Sequence, residues 1–406
     1  MYLSRTVEPF IAAAGSQFPA LLVTGPRQVG KTTLLKHLAG DARTYVTLDD
    51  PLLALLARDD PALFLERFPP PVLIDEIQYA PQLLPHIKMA ADRLGQPGLF
   101  WLTGSQQFHL MRGVSETLAG RVGIVHLQGL SLRERTGRGS SAPVFLPDAA
   151  PRTWDGPEPT PSLHALYAML WRGAFPALAV RPDADVPLFY SSYLQTYLQR
   201  DIRDLAQVGD EGAFLRFIRA CAARTANLLN LAELARDADV TPATAKRWLS
   251  ILQASGIVFL LEPYFTNVTK RLVKTPKLYF LDTGLCAYLT EWTSPDTLLA
   301  GAMSGAIFET WVMGEMLKSW WHNGQRPTFH FYRDKDQKEI DALIARDGRL
   351  YPVEIKRGAS PSLGDVRHFQ SLSRLGVPLG HGALVCLAGQ SLPLTREISI
   401  VPAWTI

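Results

Sequence analysis

Short apolar runs alternate with stretches of helical periodicity over the early part of the chain. Five of these runs predict β-strands, and they are Leu21–Thr24, Tyr45–Leu48, Val72–Asp75, Phe100–Thr103 and Ile124–Leu127. A continuous apolar strand is typical of a parallel sheet, because helices cover both faces of such a sheet. Parallel strands also require crossover connections, which are right-handed. The pattern therefore predicts an α/β fold built on a parallel sheet.

The pattern becomes irregular and then helical after this predicted sheet. Residues 137–161 are rich in Pro, Gly, Ser and Asp and show no periodicity, which indicates a loop or insertion at a mobile boundary. Residues 162–207 indicate helices. Apolar and aromatic side chains recur there at helical spacing: Leu163, Leu166, Tyr167, Leu170, Trp171, Tyr190, Tyr193, Leu194, Tyr197 and Leu198. We interpret this stripe as core, because large aromatic side chains are more often buried than exposed.

Residues 211–265 predict three helices followed by a strand. Thr241 and Pro242 suit the N-cap and the first position of the third helix, and the apolar run 257–261 suits the strand. This order is typical of a winged helix. Lys246 and Arg247 would then lie early in the recognition helix, where contacts with DNA are made. A plain packing module fits the same pattern, so the sequence leaves both interpretations open.

A β-hairpin is predicted near the C-terminus. The runs 339–344 and 351–356 flank the dipeptide Asp347-Gly348, which is a strong hairpin signal. Asp341 and Glu354 would therefore come from adjacent strands.

The charges on this hairpin suggest a chemical role. Lys356 follows Glu354 by two residues, so both side chains lie on one face of the second strand. Two carboxylates and a lysine suit phosphodiester hydrolysis, because carboxylates bind Mg²⁺ or Mn²⁺ and the metal activates water. Ordinary exposed charges on a hairpin are the alternative.

Composition narrows the class of protein. The chain has 406 residues, of which 47% are hydrophobic and 19% charged. This indicates an ordered protein of about two to four domains. The formal net charge of +3 permits contact with nucleic acid without arguing for it. Three widely spaced cysteines indicate a reducing compartment, and neither a transmembrane run nor a secretory signal is present, so we expect a cytoplasmic protein without membrane contact.

One motif indicates a nucleotide site. Residues 25–32 read GPRQVGKT, after an apolar strand and before a helix, which is the context of a P-loop. Its N–H groups and the helix N-terminus attract phosphate oxygens. Lys31 would bind the β- and γ-phosphates and act in catalysis, and the Thr32 hydroxyl would bind Mg²⁺. The predicted nucleotide-binding residues of this loop are Gly25, Pro26, Arg27, Gln28, Val29, Gly30, Lys31, Thr32 and Thr33.

Two acids end the third predicted strand. Asp75 would hold Mg²⁺ through water, and Glu76 would polarise the water that attacks the γ-phosphate. Ligands of open α/β sheets bind at the carboxyl ends of strands, where both acids lie. Because successive side chains on a strand point in opposite directions, the two acids can serve separate roles.

Other candidates for the nucleotide site are weaker. Thr103 or Ser105 would hydrogen-bond the γ-phosphate or the attacking water, although a simple turn explains both residues as well. Arg121 is the first candidate for an arginine that neutralises transition-state charge from a neighbouring subunit or domain, and Arg112 is the second. A surface or structural role for either arginine is the alternative.

The segments GPRQVGKT, LIDEIQ, LTGSQ and LAGR together resemble a group of prokaryotic AAA-type ATPases whose C-terminal domain is related to the PD-(D/E)XK nucleases. The resemblance covers essentially the whole chain, and its ATPase motifs are the more specific ones. It implies ATP as the nucleotide and a helical lid after the ATPase core. It also implies a nuclease-like site, in which Glu309, Asp341 and Glu354 hold Mg²⁺ or Mn²⁺ and Glu354 and Lys356 are catalytic.

The expected organisation has four parts. Residues 1–150 form an AAA-type P-loop core, 151–210 a helical lid, 211–275 a winged helix, and 276–406 an α/β domain resembling restriction endonucleases. An ATP-driven protein that acts on DNA through a metal-dependent nuclease is the first functional interpretation, and a homo-oligomer is its candidate assembly. The second is an ATP-dependent switch in defence, toxin regulation or signalling, whose C-terminal domain only binds a partner.

Overall fold

The computed structural model describes residues 2–105, 114, 116–154, 156, 160–197, 210–265 and 275–406. Strands β1 to β5 of its first part are Ala20–Gly25, Thr44–Thr47, Val72–Asp75, Phe100–Ser105 and Val122–His126. Helices α1 to α6 are Glu8–Gly15, Lys31–Ala39, Pro51–Asp59, Pro61–Arg67, Leu83–Leu94 and Leu132–Arg135. Each of the five strands overlaps a predicted one.

The five strands form one sheet in the order β2-β3-β4-β1-β5, and its paired strands run parallel. Every residue of β1 and β3 is buried. Leu21 and Val23 of β1 pack in one apolar cluster, whereas Ala20 and Leu22 pack in another on the opposite face. This confirms the predicted parallel sheet with both faces covered. The order also brings the carboxyl ends of β1, β3 and β4 to a common edge, because β4 lies between β1 and β3.

The irregular segment after the sheet is packed rather than merely connecting. Phe145 is fully buried, its N–H donates to Ser319 Oγ at 3.0 Å, and its carbonyl accepts from Trp320 Nε1 at 2.9 Å. The expected mobile boundary is therefore wrong around Phe145, because this side chain and its backbone bind a helix far along the chain.

Helices continue through the middle of the chain. Helices α7 to α12 are Leu163–Arg172, Pro176–Ala179, Val186–Tyr197, Glu211–Ala222, Leu231–Ala238 and Pro242–Ala254. Strands β6, β7 and β8 are Asn227–Leu228, Val258–Leu261 and Lys277–Phe280, and they form an antiparallel sheet in the order β6-β8-β7. In the predicted stripe, Tyr167, Tyr190 and Tyr193 are buried, as expected of core, whereas Leu163 is exposed. Strand β8 pairs with both β6 and β7, so the three strands belong to one sheet. The predicted domain boundary after residue 275 would place β8 in a different domain from β6 and β7.

The last part is built on a mixed sheet. Helices α13 to α15 are Thr283–Leu289, Pro295–Ala300 and Ser304–Trp321, and strands β9 to β14 are Phe329–Arg333, Glu339–Arg346, Arg349–Lys356, Gly382–Cys386, Leu392–Pro393 and Ile398–Pro402. The sheet has the order β13-β14-β12-β11-β10-β9. Strands β10 and β11 form the predicted hairpin, with φ of 50° at Asp347 and 71° at Gly348 in its turn.

Helix α15 also contacts the ATPase part directly. Lys318 Nζ donates to the Leu130 carbonyl at 3.0 Å, and the Leu132 N–H donates to Glu315 Oε2 at 2.9 Å. The same lysine and glutamate pair with each other at 2.6 Å. In the part of the chain that the structure describes, we find no helix with the length and apolarity needed to cross a membrane.

Candidate nucleotide site and C-terminal carboxylate cluster

The loop between β1 and α2 has the backbone of a phosphate-binding turn. A Cβ atom on Gly25 would lie 1.9 Å from the Leu127 carbonyl oxygen, so the close approach of these two backbones requires glycine. Gly30 has a φ of 92° and directly precedes α2. The loop therefore ends at the N-terminus of a helix, where the helix dipole favours an anion.

Lys31 lies inside this loop. Its Nζ donates to the carbonyl oxygens of Gly25 at 3.0 Å and Pro26 at 2.8 Å, and the residue is 6% exposed. The ammonium group thus lies among the loop's own backbone atoms, where it can exchange carbonyl oxygens for phosphate oxygens.

Asp75 joins the P-loop to the neighbouring strands. Its Oδ1 accepts from Thr32 Oγ1 at 2.7 Å and also from the Thr103 hydroxyl, and its Oδ2 accepts from the Tyr45 hydroxyl at 3.1 Å. Thr32, Asp75 and Thr103 were predicted to act at one site, and the structure brings them together. Burial, and then the Asp75 carboxylate, raise the pKa of Tyr45 to about 12. Tyr45 was missed, because nothing local in its strand indicates a partner on β3.

Glu76 is held separately from Asp75. It has a φ of 57°, which is rare for a residue with a side chain, and its N–H donates to Thr103 Oγ1 at 3.0 Å. Its carboxylate accepts from Gln78 Nε2. The two carboxylates therefore have different partners, although the Thr103 hydroxyl contacts both residues. Gln78 was not predicted, although it belongs to the LIDEIQ segment.

The remaining candidates lie elsewhere or outside the described residues. The backbone of Ser105 pairs with that of Gly25 across the sheet, but its side chain is outside the described part of the chain, as is Arg112. Arg121 precedes β5, and its carbonyl accepts from the N–H of Ala20 at the start of β1. Arg121 is therefore at the edge opposite to Gly25, and its guanidinium pairs with Asp92. The structure does not bring Arg121 to the P-loop of the same chain.

A cavity of about 220 Å³ adjoins the P-loop. Its lining comes from the N-terminal segment, the start of α2 and helix α8. The lining residues are Tyr2, Leu3, Arg5, Gly30, Thr33, Leu34, Leu130, Pro176, Ala177 and Val180. Most of these side chains are apolar, so the cavity suits a flat, weakly polar group placed next to the phosphate loop.

The predicted C-terminal residues also converge. Asp341 Oδ2 accepts from the N–H of Ile355 at 2.8 Å, which places Asp341 beside Glu354 on the next strand. Lys356 Nζ donates to Glu354 Oε1 at 2.6 Å. Burial, and then repulsion from Asp341, raise the pKa of Glu354 to about 8. Burial and Asp341 likewise raise the pKa of Glu309 to about 7.

Lys277 on β8 completes this cluster and was missed by the sequence analysis. Its Nζ lies 2.6 Å from Glu339 Oε1, 3.4 Å from Glu309 Oε1 and 3.7 Å from Asp341 Oδ1, and its side chain is 4% exposed. Although burial opposes the charge, the three carboxylates hold the pKa of Lys277 above its usual range. Tyr279, two residues along β8, donates its hydroxyl to Glu309 Oε1 at 2.7 Å.

These carboxylates do not fit a divalent metal ion as they are arranged. A cation such as Mg²⁺ or Mn²⁺ needs several oxygens converging at short distance, and no group of three or more His, Cys, Asp or Glu residues is so arranged among the described residues. Lys277 already faces the oxygens of Glu309 and Asp341 that such an ion would share.

The P-loop at the carboxyl edge of a parallel sheet, with Asp75 bound to its threonine, defines the class of protein. A family model described as an AAA domain matches residues 17–136, which supports an AAA-type P-loop ATPase domain in this part of the chain. Two models described as domains of unknown function match residues 163–296 and 304–406. The second of these begins with α15 and includes the carboxylate cluster except for Lys277.

Two mycobacterial relatives span most of the chain. The uncharacterized proteins Rv2008c of Mycobacterium tuberculosis and Mb2031c of Mycobacterium bovis are each 32% identical to it over 387 residues, which cover 95% of this chain and 80% of each relative. The chain belongs to the same family as these proteins.

Solved ATPase structures resemble the chain only loosely. The Walker-type ATPase PABY2304 of Pyrococcus abyssi is 16% identical, covers 70% of this chain and 94% of its own, and has a TM-score of 0.43. The RuvB Holliday junction branch migration motor of Thermotoga maritima is 18% identical, covers 66% of this chain and 91% of its own, and has a TM-score of 0.30.

Proposed function

We propose that this ATPase hydrolyses ATP with Mg²⁺ held by Thr32 and Asp75 and with Glu76 as the general base. The observation that carries the proposal is the Asp75 carboxylate, which contacts Thr32 of the P-loop on one side and Thr103 of β4 on the other. Bound Mg²⁺ would neutralise charge on the phosphates. Thr103 and Gln78 hold Glu76 beside this group, where it can accept a proton from the attacking water.

The cavity next to the P-loop supports adenine as the base of the nucleotide. Thr33 and Leu34 on α2 line it together with Pro176 and Val180 from the helical segment that follows the ATPase core. A nucleotide bound here would contact both parts of the chain at once. This arrangement supports the expectation that residues 151–210 act as a lid.

Nucleotide binding is tested with Lys31→Ala. Because Lys31 supplies a charge-assisted contact to the phosphates, the variant should bind ATP far more weakly in titration calorimetry and should lose ATP turnover. Lys335→Ala is the matched control, since Lys335 is an exposed lysine between β9 and β10, and its loss should leave ATP binding unchanged. Equal ATP affinity in wild type and Lys31→Ala would refute the site.

A second candidate function is DNA contact by the middle of the chain. Helices α10, α11 and α12 with the antiparallel sheet β6-β8-β7 have the element order of a winged helix, which supports that interpretation. Lys246 and Arg247 are exposed on α12, whereas the following Trp248 and Leu249 are buried. The two cations therefore point away from the core, where a phosphate backbone could reach them.

Fluorescence anisotropy with a labelled duplex tests this contact. The double variant Lys246→Glu, Arg247→Glu should bind more weakly. The slope of log affinity against log salt should also become shallower, by roughly 0.9 for each phosphate that the protein no longer neutralises. Arg236→Glu, which alters an exposed cation on α11, is the control for a general charge effect. The proposal fails if the control weakens binding as much as the double variant.

For the C-terminal domain we propose partner binding rather than DNA cleavage. Asp341, Glu354 and Lys356 converge as a nuclease site would require, but Lys277 lies among the carboxylates. A plasmid incubated with Mg²⁺ or Mn²⁺ should therefore remain uncut by wild type. Cleavage by wild type that is lost in Lys356→Ala would instead establish the nuclease.

A further inference from the structure

We infer that Lys277 is an internal cation that stands in the place of a divalent metal ion, so that the C-terminal carboxylate cluster is a metal-independent junction between the three-stranded and six-stranded sheets. This inference does not depend on ATP hydrolysis. It assigns a role to a residue that precedes the hairpin by more than sixty positions in the chain.

The position of the ammonium group is the first support. Lys277 Nζ lies within 3.7 Å of carboxylate oxygens from Glu309, Glu339 and Asp341, which come from α15 and β10. An ammonium group has three donors and one charge, so a single lysine can satisfy several converging carboxylates. Its side chain is 4% exposed, and such a buried charge is stable only when it is paired.

The strand that carries Lys277 gives the second support. Strand β8 is the central strand of its sheet and pairs with β6 and β7 on its two sides. Residues two apart on a strand face the same way, and Tyr279 also binds Glu309, by a hydroxyl at 2.7 Å. Two side chains of one fixed strand thus bind the same carboxylate, which makes the contact part of the fold.

The acids of the cluster also accept hydrogen bonds from other protein groups, although Glu354 Oε2 is buried without a partner. Asp341 Oδ2 accepts from the Ile355 N–H, and Glu339 Oε2 accepts from Arg333 Nη1 at 3.1 Å. Lys356, which would orient water in a nuclease, donates to Glu354. A divalent ion placed among Glu309, Glu339 and Asp341 would have to displace these donors and overcome repulsion from the Lys277 ammonium.

Metal binding to a charge-deleted variant tests the inference. Without nucleotide, Mn²⁺ should change the melting temperatures of wild type and Glu309→Gln equally, because wild type binds no Mn²⁺ at Glu309. Lys277→Met removes the charge while keeping an unbranched side chain, so it should melt at a lower temperature than wild type without metal. Added Mn²⁺ should then restore several degrees of that loss, because it replaces the missing charge.

Three further variants isolate the site. Lys277→Met combined with Glu309→Gln should lose the response to Mn²⁺, because one of the carboxylates is gone. Lys277→Arg retains the charge and should resemble wild type. Lys246→Met replaces an exposed lysine outside the cluster and leaves the P-loop intact. Any effect of Mn²⁺ on its melting temperature therefore reports Mn²⁺ bound at Asp75.

Three results would overturn the inference. The first is Mn²⁺ binding by wild type, measured by calorimetry without nucleotide, that Glu309→Gln abolishes. The second is a Lys277→Met protein whose stability does not respond to Mn²⁺. The third concerns a Lys277→Met protein that does not fold without metal. If Mn²⁺ restores its folding, the inference is supported. If folding is restored neither by Mn²⁺ nor by adding Glu309→Gln, the inference is wrong.

Discussion

Nδ1 of His322 lies 3.1 Å from Oε1 of Glu134, and both side chains are almost completely buried. His322 follows α15 of the C-terminal part, whereas Glu134 lies on α6 after the ATPase sheet. Arg5 Nε approaches the same Glu134 oxygen at 3.2 Å, and Arg5 Nη1 donates to the carbonyl of Val29 in the P-loop at 3.0 Å. A short series of polar contacts thus connects the phosphate-binding loop to the C-terminal domain.

Removing the charge of Glu134 should destabilise the protein strongly. Glu134→Gln leaves the Arg5 guanidinium buried without its carboxylate, and the loss of one partner of a buried ion pair costs about 3–5 kcal/mol. We expect a decrease of that size in the free energy of unfolding measured in urea. Glu291→Gln, which removes an exposed partner of Arg219, should cost less than about 1 kcal/mol. Equal losses in the two variants would contradict a stabilising role for the buried cluster.

The same cluster should make the protein sensitive to mild acid. Burial lowers the pKa of His322 below its ordinary 6.5, against the opposing effect of Glu134, while Arg5 and Lys318 add to the lowering. The N–H of Gln128 donates to His322 Nε2 at 3.2 Å, which requires an unprotonated nitrogen there. Because the unfolded chain binds the proton more readily, stability should fall as the pH drops below about 6.5.

Glu134 adds a second step at lower pH. Burial opposes ionisation, but Arg5 and His322 hold the pKa of Glu134 well below its ordinary 4.5. Its stabilising contribution is therefore present above pH 4.5 and is lost as the pH falls below that value. Thermal unfolding from pH 7 to 5 should show a weaker pH dependence in His322→Gln than in wild type. An unchanged slope would mean that His322 is not the group responsible.

What could be predicted from the sequence depends on how far apart the interacting residues are. The P-loop and the acids at the end of β3 are specified within a few residues, so Lys31, Asp75 and Glu76 could be proposed as site residues from the sequence directly. The hairpin of β10 and β11 is likewise specified by Asp347-Gly348 and two alternating runs. These short sequence patterns predict the conformation of the local backbone, and that conformation positions the side chains.

Most of the residues that were missed act through partners distant in the chain, and Gln78, which binds the nearby Glu76, is the exception. Lys277 precedes its acidic partners in the chain, and neither its strand nor its charge indicates that Glu309 and Asp341 lie beside it. Phe145 lies in a segment without periodicity, yet it binds Ser319 and Trp320 on α15. Only the packing of separate elements decides such contacts, which no local pattern contains.

The two acids at the end of β3 should have separable effects on ATP hydrolysis. Glu76→Gln keeps the shape of the side chain and removes the base, so it should bind ATP but lose turnover by roughly 10²-fold or more. Asp75→Asn removes the negative charge of the side chain that contacts Thr32, so the variant should need a higher Mg²⁺ concentration for turnover. Steady-state ATPase assays over a Mg²⁺ titration distinguish the two. Turnover of Glu76→Gln at the wild-type rate would place the base elsewhere.

Arg121 can act on ATP only from a neighbouring molecule, because it lies at the edge of the sheet opposite to Gly25. Its guanidinium pairs with Asp92 on the surface, and a bound neighbour could exchange that partner for a γ-phosphate. Arg121→Ala and Glu76→Gln should then each be inactive alone. A mixture should regain part of the ATPase activity, because an intact P-loop of one variant can meet an intact arginine of the other.

Asp92→Ala is the control for this experiment, since it removes the partner of Arg121 and keeps the arginine. It should retain turnover and should complement neither variant beyond the sum of the separate rates. Light scattering with bound nucleotide should show an oligomer under the conditions of complementation. A monomer under those conditions, or a mixture no more active than its components, would assign Arg121 to the surface pair with Asp92. The activity of the mixture therefore measures the contact of Arg121 with the nucleotide of a neighbouring molecule, and not only the presence of the arginine.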